Sequence, residues 1–140
     1  MFRVYDTEKK CWIKDDVYLS LSGELFKIKQ SLFGMVKIPM ALDSDRYICY
    51  KSIGLYDKEN TLIYEGDYVA AKVANDRTVI GIVGFAHELS AYVIFCVNYD
   101  EYYTLGSEVA EFVKVIGNVF DGYENEEEQN GQQTLQESET

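Results

Sequence analysis

The sequence predicts a mainly β protein that forms a small barrel or sandwich and ends in a disordered acidic tail. Three observations lead to this prediction. Apolar residues recur at every second position rather than at helical spacing. Turn-forming residues interrupt the chain roughly every eight to twelve positions, and the composition changes abruptly after residue 120. With 140 residues, 47% of them hydrophobic, the chain can build an independent core without metals or disulfides.

The first part, residues 1–53, is predicted to be β-rich and to pack on the barrel. Residues 2–13 have the pattern of a β-hairpin around a polar turn, and residues 17–29 form two strands around a second turn. Residues 35–38 form a further strand. Pro39 has no N–H, so it either ends that strand or lies at a sheet edge. Residues 47–53 are extended again.

The second part, residues 54–120, is predicted to form the barrel. Its pattern indicates strands at residues 61–64, 67–73, 79–85, 91–99, 102–105 and 113–120. Gly81 and Gly84 fall inside one strand, where glycine usually marks a bulge or a sharp bend. Ser107 is expected to cap one helical turn over residues 107–112.

The last part, residues 121–140, is predicted to be a disordered tail. It carries seven acidic residues, no basic residue and one aliphatic residue, Leu135. Such a segment cannot bury enough apolar surface to offset the entropy of ordering. Its role is either to solvate the protein or to attract a basic partner.

The segment 54–69 predicts two tight turns that flank a strand. Asn60 falls where a left-handed backbone is needed, which Asn tolerates better than most residues. Gly66 supplies the freedom for the second turn. Asp67 is expected to accept a hydrogen bond from a backbone amide there, and Val69 starts the inward-facing set of the next strand.

Three segments of the chain together form a recognisable signature. The first is Phe2-Arg3-Val4-Tyr5-Asp6. The second combines Gly54, Leu55, Asp57 and Lys58 with Ile63, Tyr64, Glu65, Gly66, Asp67 and Val69. The third is Val115-Ile116-Gly117-Asn118-Val119. Together these segments resemble the YopX-like family of phage and prophage proteins. The chain departs from the family at Glu59-Asn60, where Asn-Gly is usual.

This resemblance implies a β-rich protein whose C-terminal half is an SH3-like barrel. It also implies a phage or prophage origin and the cytoplasm of a bacterial host. The family's molecular function is largely unassigned, so the resemblance supplies no catalytic residues.

The residues that could carry chemistry form no recognisable motif. Cys11, Cys49 and Cys96 are predicted to be reduced and mostly buried, and with His87 they are too scattered in sequence for a zinc site. His87 is expected in a solvated loop. Since no nucleophile elbow and no phosphate-binding loop are present, we predict no catalytic, metal-binding or cofactor-binding residue and no enzyme. No segment matches a signal peptide or a membrane span, so a cytoplasmic location is expected.

The run Tyr99-Asp100-Glu101-Tyr102-Tyr103 is the predicted partner-binding surface, which Tyr64 and Tyr68 could extend. Tyrosine is enriched in protein interfaces because it combines a large apolar area with one polar tip. The alternative is that these rings pack on the surface of the barrel itself. A net charge of −11 disfavours direct nucleic-acid binding, and the second half carries few basic residues: Lys72, Arg77 and Lys114.

Two functional hypotheses from different classes follow. The first is a non-enzymatic phage or prophage accessory protein that binds another protein. The alternative is an acidic mimic of nucleic acid that inhibits a host or rival nucleic-acid enzyme, with carboxylates in place of phosphates. A small β protein with exposed sheet edges can also self-associate, so a homo-oligomer is a further expectation. No sequence motif supports a hydrolytic enzyme.

Overall fold

The computed structural model describes residues 1–14, 16–31, 34 and 36–124. Most of the predicted disordered tail, residues 125–140, therefore lies outside the described residues. The chain divides into two compact units, Met1–Lys51 and Ser52–Thr140. The prediction of a mainly β fold with a barrel in the second part is confirmed, and the large sheet of the second unit curls into a half-barrel.

The first unit contains two antiparallel sheets. In one, β1 (Phe2–Asp6) pairs with β2 (Cys11–Trp12) and with the start of β6 (Tyr47–Tyr56). The pairing of β1 with β2 is the hairpin predicted for residues 2–13. The other sheet consists of β3 (Tyr18–Leu19), β4 (Leu25–Ser31) and β5 (Val36–Ala41). Pro39 lies inside β5, at the edge of this sheet, as its missing N–H requires.

An ion pair holds the turn of the first hairpin. One carboxylate oxygen of Asp6 accepts the amides of Glu8 and Lys9 at 3.0 and 3.2 Å, together with Nε of Arg46 at 3.0 Å. The other oxygen accepts Nη2 of Arg46 at 2.9 Å. The Arg46 hydrogen bonds are the main cause that holds the pKa of Asp6 well below its ordinary value. Asp6 is buried as an anion that is fully paired.

The second unit is organised around a six-stranded antiparallel sheet in the order β11-β10-β9-β8-β12-β13. Its strands are β8 (Asp67–Lys72), β9 (Thr78–Ala86), β10 (Ala91–Cys96), β11 (Tyr102–Thr104), β12 (Val113–Asn118) and β13 (Gly122–Tyr123). The end of β6 pairs with β7 (Leu62–Tyr64) before the sheet begins. A 3-10 helix (Ala74–Asp76) and α1 (Ser107–Ala110) complete the unit.

The core of the second unit comes from the inner face of this sheet. Alternate residues of β8 and β9 are buried, as period-two patterning predicts: Val69, Ala71, Val79 and Val83 are at most 2% exposed. Ile63, Ile94 and Val113 close the core from the neighbouring strands. Burial of each such branched side chain stabilises the fold by roughly 1.5–3 kcal/mol.

Several local predictions differ from the structure. Gly81 and Gly84 produce no bulge, since β9 pairs in continuous register with both neighbours. A Cβ at Gly81 would instead collide with Ile94 and the Phe95 carbonyl, so close strand approach explains this glycine. The bulge lies in β12 between Val115 and Gly117. The helical turn is confirmed, but Gly106 rather than Ser107 occupies the capping position.

The segment that follows β12 is ordered beyond the predicted boundary at residue 120. Gly122 and Tyr123 form β13, and the Tyr123 ring lies 4.7 Å from the Tyr68 ring, measured between centroids. Asn118 bonds the amides of Phe120 and Asp121 at 3.0 Å and so builds the connecting turn. An average composition over residues 121–140 conceals this two-residue strand, which pairs with the nearby Gly117 and Asn118.

The turns predicted for residues 57–67 are confirmed. Asn60 has φ +64° and Gly66 has φ +84°, and Val69 is fully buried. We expect Gly66→Ala to lower the free energy of unfolding by about 1–2 kcal/mol, because a Cβ is strained in this region of φ. Urea denaturation measures the loss. Asn60→Gly is the control and should change stability by less than about 0.5 kcal/mol; a Gly66→Ala midpoint equal to wild type contradicts the assignment.

Stability should depend on pH through Asp6. Its folded pKa lies below the unfolded value of about 3.9, so its contribution is complete above that pH and is lost as the pH falls further. Between about pH 5 and pH 2.5, wild type should lose more unfolding free energy than Arg46→Gln. Lys51→Gln is the control: it removes an exposed cation from the same unit, and its unfolding free energy should depend on pH as that of wild type does. Identical pH profiles for all three chains would refute the role of the pair.

Candidate functional site

The two buried aspartates of the 54–69 segment are structural. Asp57 is 7% exposed, and one of its oxygens accepts the amides of Glu59 and Thr61 at 2.9 and 2.8 Å. The other accepts the amide of Val115 at 2.9 Å and so ties this turn to β12. The amide of Lys58 bonds the Val113 carbonyl at 2.9 Å beside it. Asp57 thus joins the second and third segments of the predicted signature.

A second junction joins the same two segments. Asp67 is 1% exposed, accepts the amide of Tyr64 at 2.8 Å as predicted, and pairs across the sheet with Asn118. A Cβ on Gly117 would collide with the Gly122 carbonyl, so only glycine fits the close approach of β12 and β13. Among the other signature residues, Ile63 and Val69 are in the core, Leu55 packs against it, and Glu65 and Gly66 form the turn before β8. Gly54 lies in β6 with φ +78°, and Ile116 is half-buried at the bulge of β12.

The five residues of the predicted binding surface are divided between two faces of the sheet. Tyr102 pairs with Phe95 on the outer face, where they are 53% and 44% exposed. Tyr103 pairs with the buried Ile94 and lies on the inner face. Neighbouring residues of a strand point to opposite faces, so a continuous run cannot form one surface. Asp100 is exposed in the bend after β10. Tyr64 and Tyr68 are half-buried.

Arg77 gathers three of these five residues around one cation. Its Nη2 donates to Oε1 of Glu101 at 2.9 Å and to the hydroxyl of Tyr103 at 2.8 Å. Its guanidinium also lies over the Tyr99 ring, 5.3 Å from the centroid. The hydrogen bond to Tyr103 and the charge of Glu101 raise the pKa of Arg77 above its ordinary value. We call Arg77, Tyr99, Glu101 and Tyr103 the arginine cluster.

An apolar cavity of about 400 Å³ adjoins the arginine cluster through Tyr103. Its walls include Val73, Ile94, Val109 and Phe112, and the polar residues Lys72 and Glu108 also line it. This volume lies within the range of about 300–1,000 Å³ that is usual for ligand pockets. It corresponds to roughly a dozen water molecules of about 30 Å³ each, which leaves room for a bulky side chain. Phe112 is 56% exposed at this cavity, so its ring presents apolar surface at the cavity opening.

The cysteines and the histidine lie apart from any metal-binding group in the described ranges, where no three His, Cys, Asp or Glu side chains gather. The thiols are free, as expected, but Cys11 is exposed and the other two are only half-buried. Burial raises the pKa of Cys96, and the neighbouring charge of Glu101 adds to the shift. His87 lies in the turn after β9, as predicted, with its ring edge-on to Phe85. Within the described part of the chain, no helix is long and apolar enough to cross a membrane.

Sequence reasoning missed the arginine cluster and the cavity. Arg77 is one of three basic residues after residue 61, and its partners lie 22 to 26 positions away, so no local pattern marks it. The cavity depends on the approach of β8, β10, β11 and α1, which no local pattern specifies. A usable signal was the isolated cation at the tip of the β8–β9 turn, opposite an acidic-aromatic turn in the next hairpin.

These features define a small β-rich protein with a half-barrel, whose buried carboxylates organise the turns and whose apolar cavity adjoins a charged cluster. The model of the family described as YopX protein matches residues 1–127. The chain therefore belongs to the YopX family, as its three signature segments predicted. No curated protein matches the sequence significantly.

Two solved structures share the fold. Protein EF1440 from Enterococcus faecalis is 20% identical, with a TM-score of 0.51, and the match covers 85% of this chain and 92% of that one. Protein YopX from Bacillus subtilis is 17% identical, with a TM-score of 0.56 and coverage of 85% and 91%. At these identities the likeness concerns the fold alone.

Substitution of Asp57 tests whether the signature residues serve to stabilise the fold. Asp57→Ala removes the acceptor of three main-chain amides and should lower the free energy of unfolding by about 2–4 kcal/mol. Asp57→Asn keeps one oxygen and should lose less. In both variants, hydrogen exchange at the Val115 amide should accelerate. The control is Asp100→Ala, an exposed acid, with an expected change below about 0.5 kcal/mol; a stable Asp57→Ala would show that the carboxylate serves another purpose.

Proposed function

We propose that this protein is a non-enzymatic accessory protein that acts by binding another protein through the cavity and the arginine cluster. The observation that carries the proposal is the apolar cavity of about 400 Å³. Phe112, which is 56% exposed, and Tyr103 of the arginine cluster line it, and Tyr99 of that cluster is 55% exposed. A concave apolar site next to exposed aromatic rings and one arginine has the composition of an interface centre. The family resemblance supports a phage or prophage origin and a role in the cytoplasm of a bacterial cell.

In the proposed binding of a partner protein, the arginine cluster contributes more to specificity than to affinity. Arg77 and Glu101 are half-exposed, so their ion pair contributes at most about 1 kcal/mol to stability. Its geometry fixes Tyr103 at the cavity, and the Arg77 guanidinium holds the Tyr99 ring, before a partner arrives. Preorganised aromatic groups lose little conformational entropy on binding.

The structure offers less support for a nucleic-acid mimic. Asp6, Asp57 and Asp67 are buried and bound to main-chain amides, so these three charges are not displayed. A mimic would depend on exposed carboxylates and would release its target as salt rises. An apolar cavity site should instead keep its partner in high salt.

A cavity-filling substitution tests the proposed function. Full-length protein is used as bait in a bacterial lysate, and the retained proteins are quantified after washes in low and high salt. We expect Val109→Trp to abolish retention of the partner, because the indole occupies the cavity that Val109 lines. Val119→Trp introduces the same ring at an exposed position near β13 and should retain the partner.

Two outcomes would contradict the proposal. Equal retention by Val109→Trp and Val119→Trp would exclude the cavity, provided both variants melt cooperatively. Release of every retained protein by high salt, together with displacement by DNA, would favour the mimic.

A further inference from the structure

The edge of the six-stranded sheet lies beside the cavity. β11 is the outermost strand on that side, and within the described ranges no other strand pairs with its far edge. The amide of Cys96 bonds the Glu101 carbonyl at 3.1 Å, and the amide of Leu105 bonds the Tyr92 carbonyl at 2.9 Å. Hydrogen-bonded pairs alternate along an antiparallel ladder. Tyr103 is therefore bonded to Ile94, while the N–H and C=O groups of Tyr102 and Thr104 point away from the sheet.

This edge suits the addition of another strand. Tyr102 and Thr104 are exposed, and β11 consists only of tyrosine and threonine, which favour strands. Proline, lysine and bulges, which usually protect an edge, are absent from these three residues. A strand that pairs here continues the alternation of faces. Its residue opposite Tyr103 would project on the same face as Tyr103, towards the cavity that this ring lines.

The charge around the edge selects the kind of strand. Residues 97–112 contain no lysine or arginine and carry four acids: Asp100, Glu101, Glu108 and Glu111. Two of them precede β11 and two follow it. Lys72 lines the cavity and takes part in no described ion pair. The Arg77 guanidinium is already paired with the Glu101 carboxylate. A second copy of this chain, with its own net charge of −11, would meet repulsion here.

We propose that β11 receives an extended segment of a partner protein by strand addition, and that this segment is basic and carries one bulky apolar side chain. The main chain of the segment bonds Tyr102 and Thr104, and its apolar side chain enters the cavity beside Tyr103, Val109 and Phe112. Basic residues at flanking positions face Asp100, Glu108 and Glu111, since Glu101 is already paired with Arg77. Main-chain bonds supply affinity in this mode, and the pocket and charges supply specificity. This proposal rests on the proposed protein-binding function and specifies its partner.

The test uses ten-residue peptides, randomised at every position and selected for binding to the full-length protein. Enriched peptides should share one aromatic or large aliphatic residue flanked by lysine or arginine. The strongest peptide is then synthesised in two forms that carry N-methyl groups on alternate amides. Only the form methylated on the amides that face β11 should lose affinity, by at least tenfold. This comparison leaves the protein unchanged, so it does not depend on the folding of a variant.

Substitutions in the protein provide the matched measurement. Thr104→Pro removes the outward N–H but leaves the ladder bonds of Tyr103 and Leu105 in place, and it should lower peptide affinity at least tenfold. Thr104→Ala keeps that N–H and should bind within twofold of wild type. Val109→Trp should also abolish binding. Selected peptides without the predicted pattern, or equal loss for both methylated forms, would overturn strand addition.

The two proposals fail in different ways. Suppose a lysate protein is lost from Val109→Trp but held equally by wild type and Thr104→Pro. Protein binding at the cavity would then stand and strand addition would be wrong. Selection of no peptide at all would also overturn strand addition. Enrichment of acidic peptides, or a dimer by light scattering that Thr104→Pro dissociates, would assign the edge to a different occupant.

Discussion

Buried carboxylates that accept main-chain amides are the interaction on which this fold depends. A carboxylate removed from water is costly unless donors surround it, and Asp57 meets this requirement with three amides, one of them 58 positions away. The same side chain therefore shapes a local turn and fastens β12 to it. Asp6 and Asp67 act similarly at their own turns. Some of the acidic residues of this chain therefore stabilise its turns and are not available to bind a partner.

The local half of this arrangement is predictable from sequence, whereas the distant half is not. Asn60 and Gly66 adopt the positive φ that their residue types suggest, and Val69 and Val83 follow the period of two. The link from Asp57 to Val115 needs knowledge of which strands meet. The strand at Gly122–Tyr123 was missed for a different reason: it forms a short hairpin with the end of β12, and the average composition of residues 121–140 conceals it. At Gly81 the sequence predicted a bulge or bend, whereas the structure shows a close approach of β10. A glycine in a strand has several explanations, and only the structure distinguishes them.

The candidate site was predictable in part. Exposed aromatic residues near residue 100 were expected, and Tyr99 and Tyr102 are exposed. Strict alternation along β11 would already have separated Tyr102 from Tyr103, so that distinction was within reach of sequence reasoning. The position of Arg77 could not be predicted from the sequence, because its contacts connect the β8–β9 turn to the distant β10–β11 hairpin. A cavity is less predictable still, since its walls come from four elements that share no motif.

The relation between the family signature and the site has a consequence for function. The signature residues of the second and third segments make turns and core contacts, while most of the cavity and the arginine cluster are built by residues 71–112, which lie between them. A relative that keeps Asp57, Gly66 and Asn118 would keep these turns even if the exposed residues around the cavity, such as Glu108 and Phe112, changed. Membership in the family therefore specifies a scaffold and leaves the partner open. The exposed residues of the proposed binding site, Phe112 and the acidic flanks of β11, are free to vary without loss of the turns.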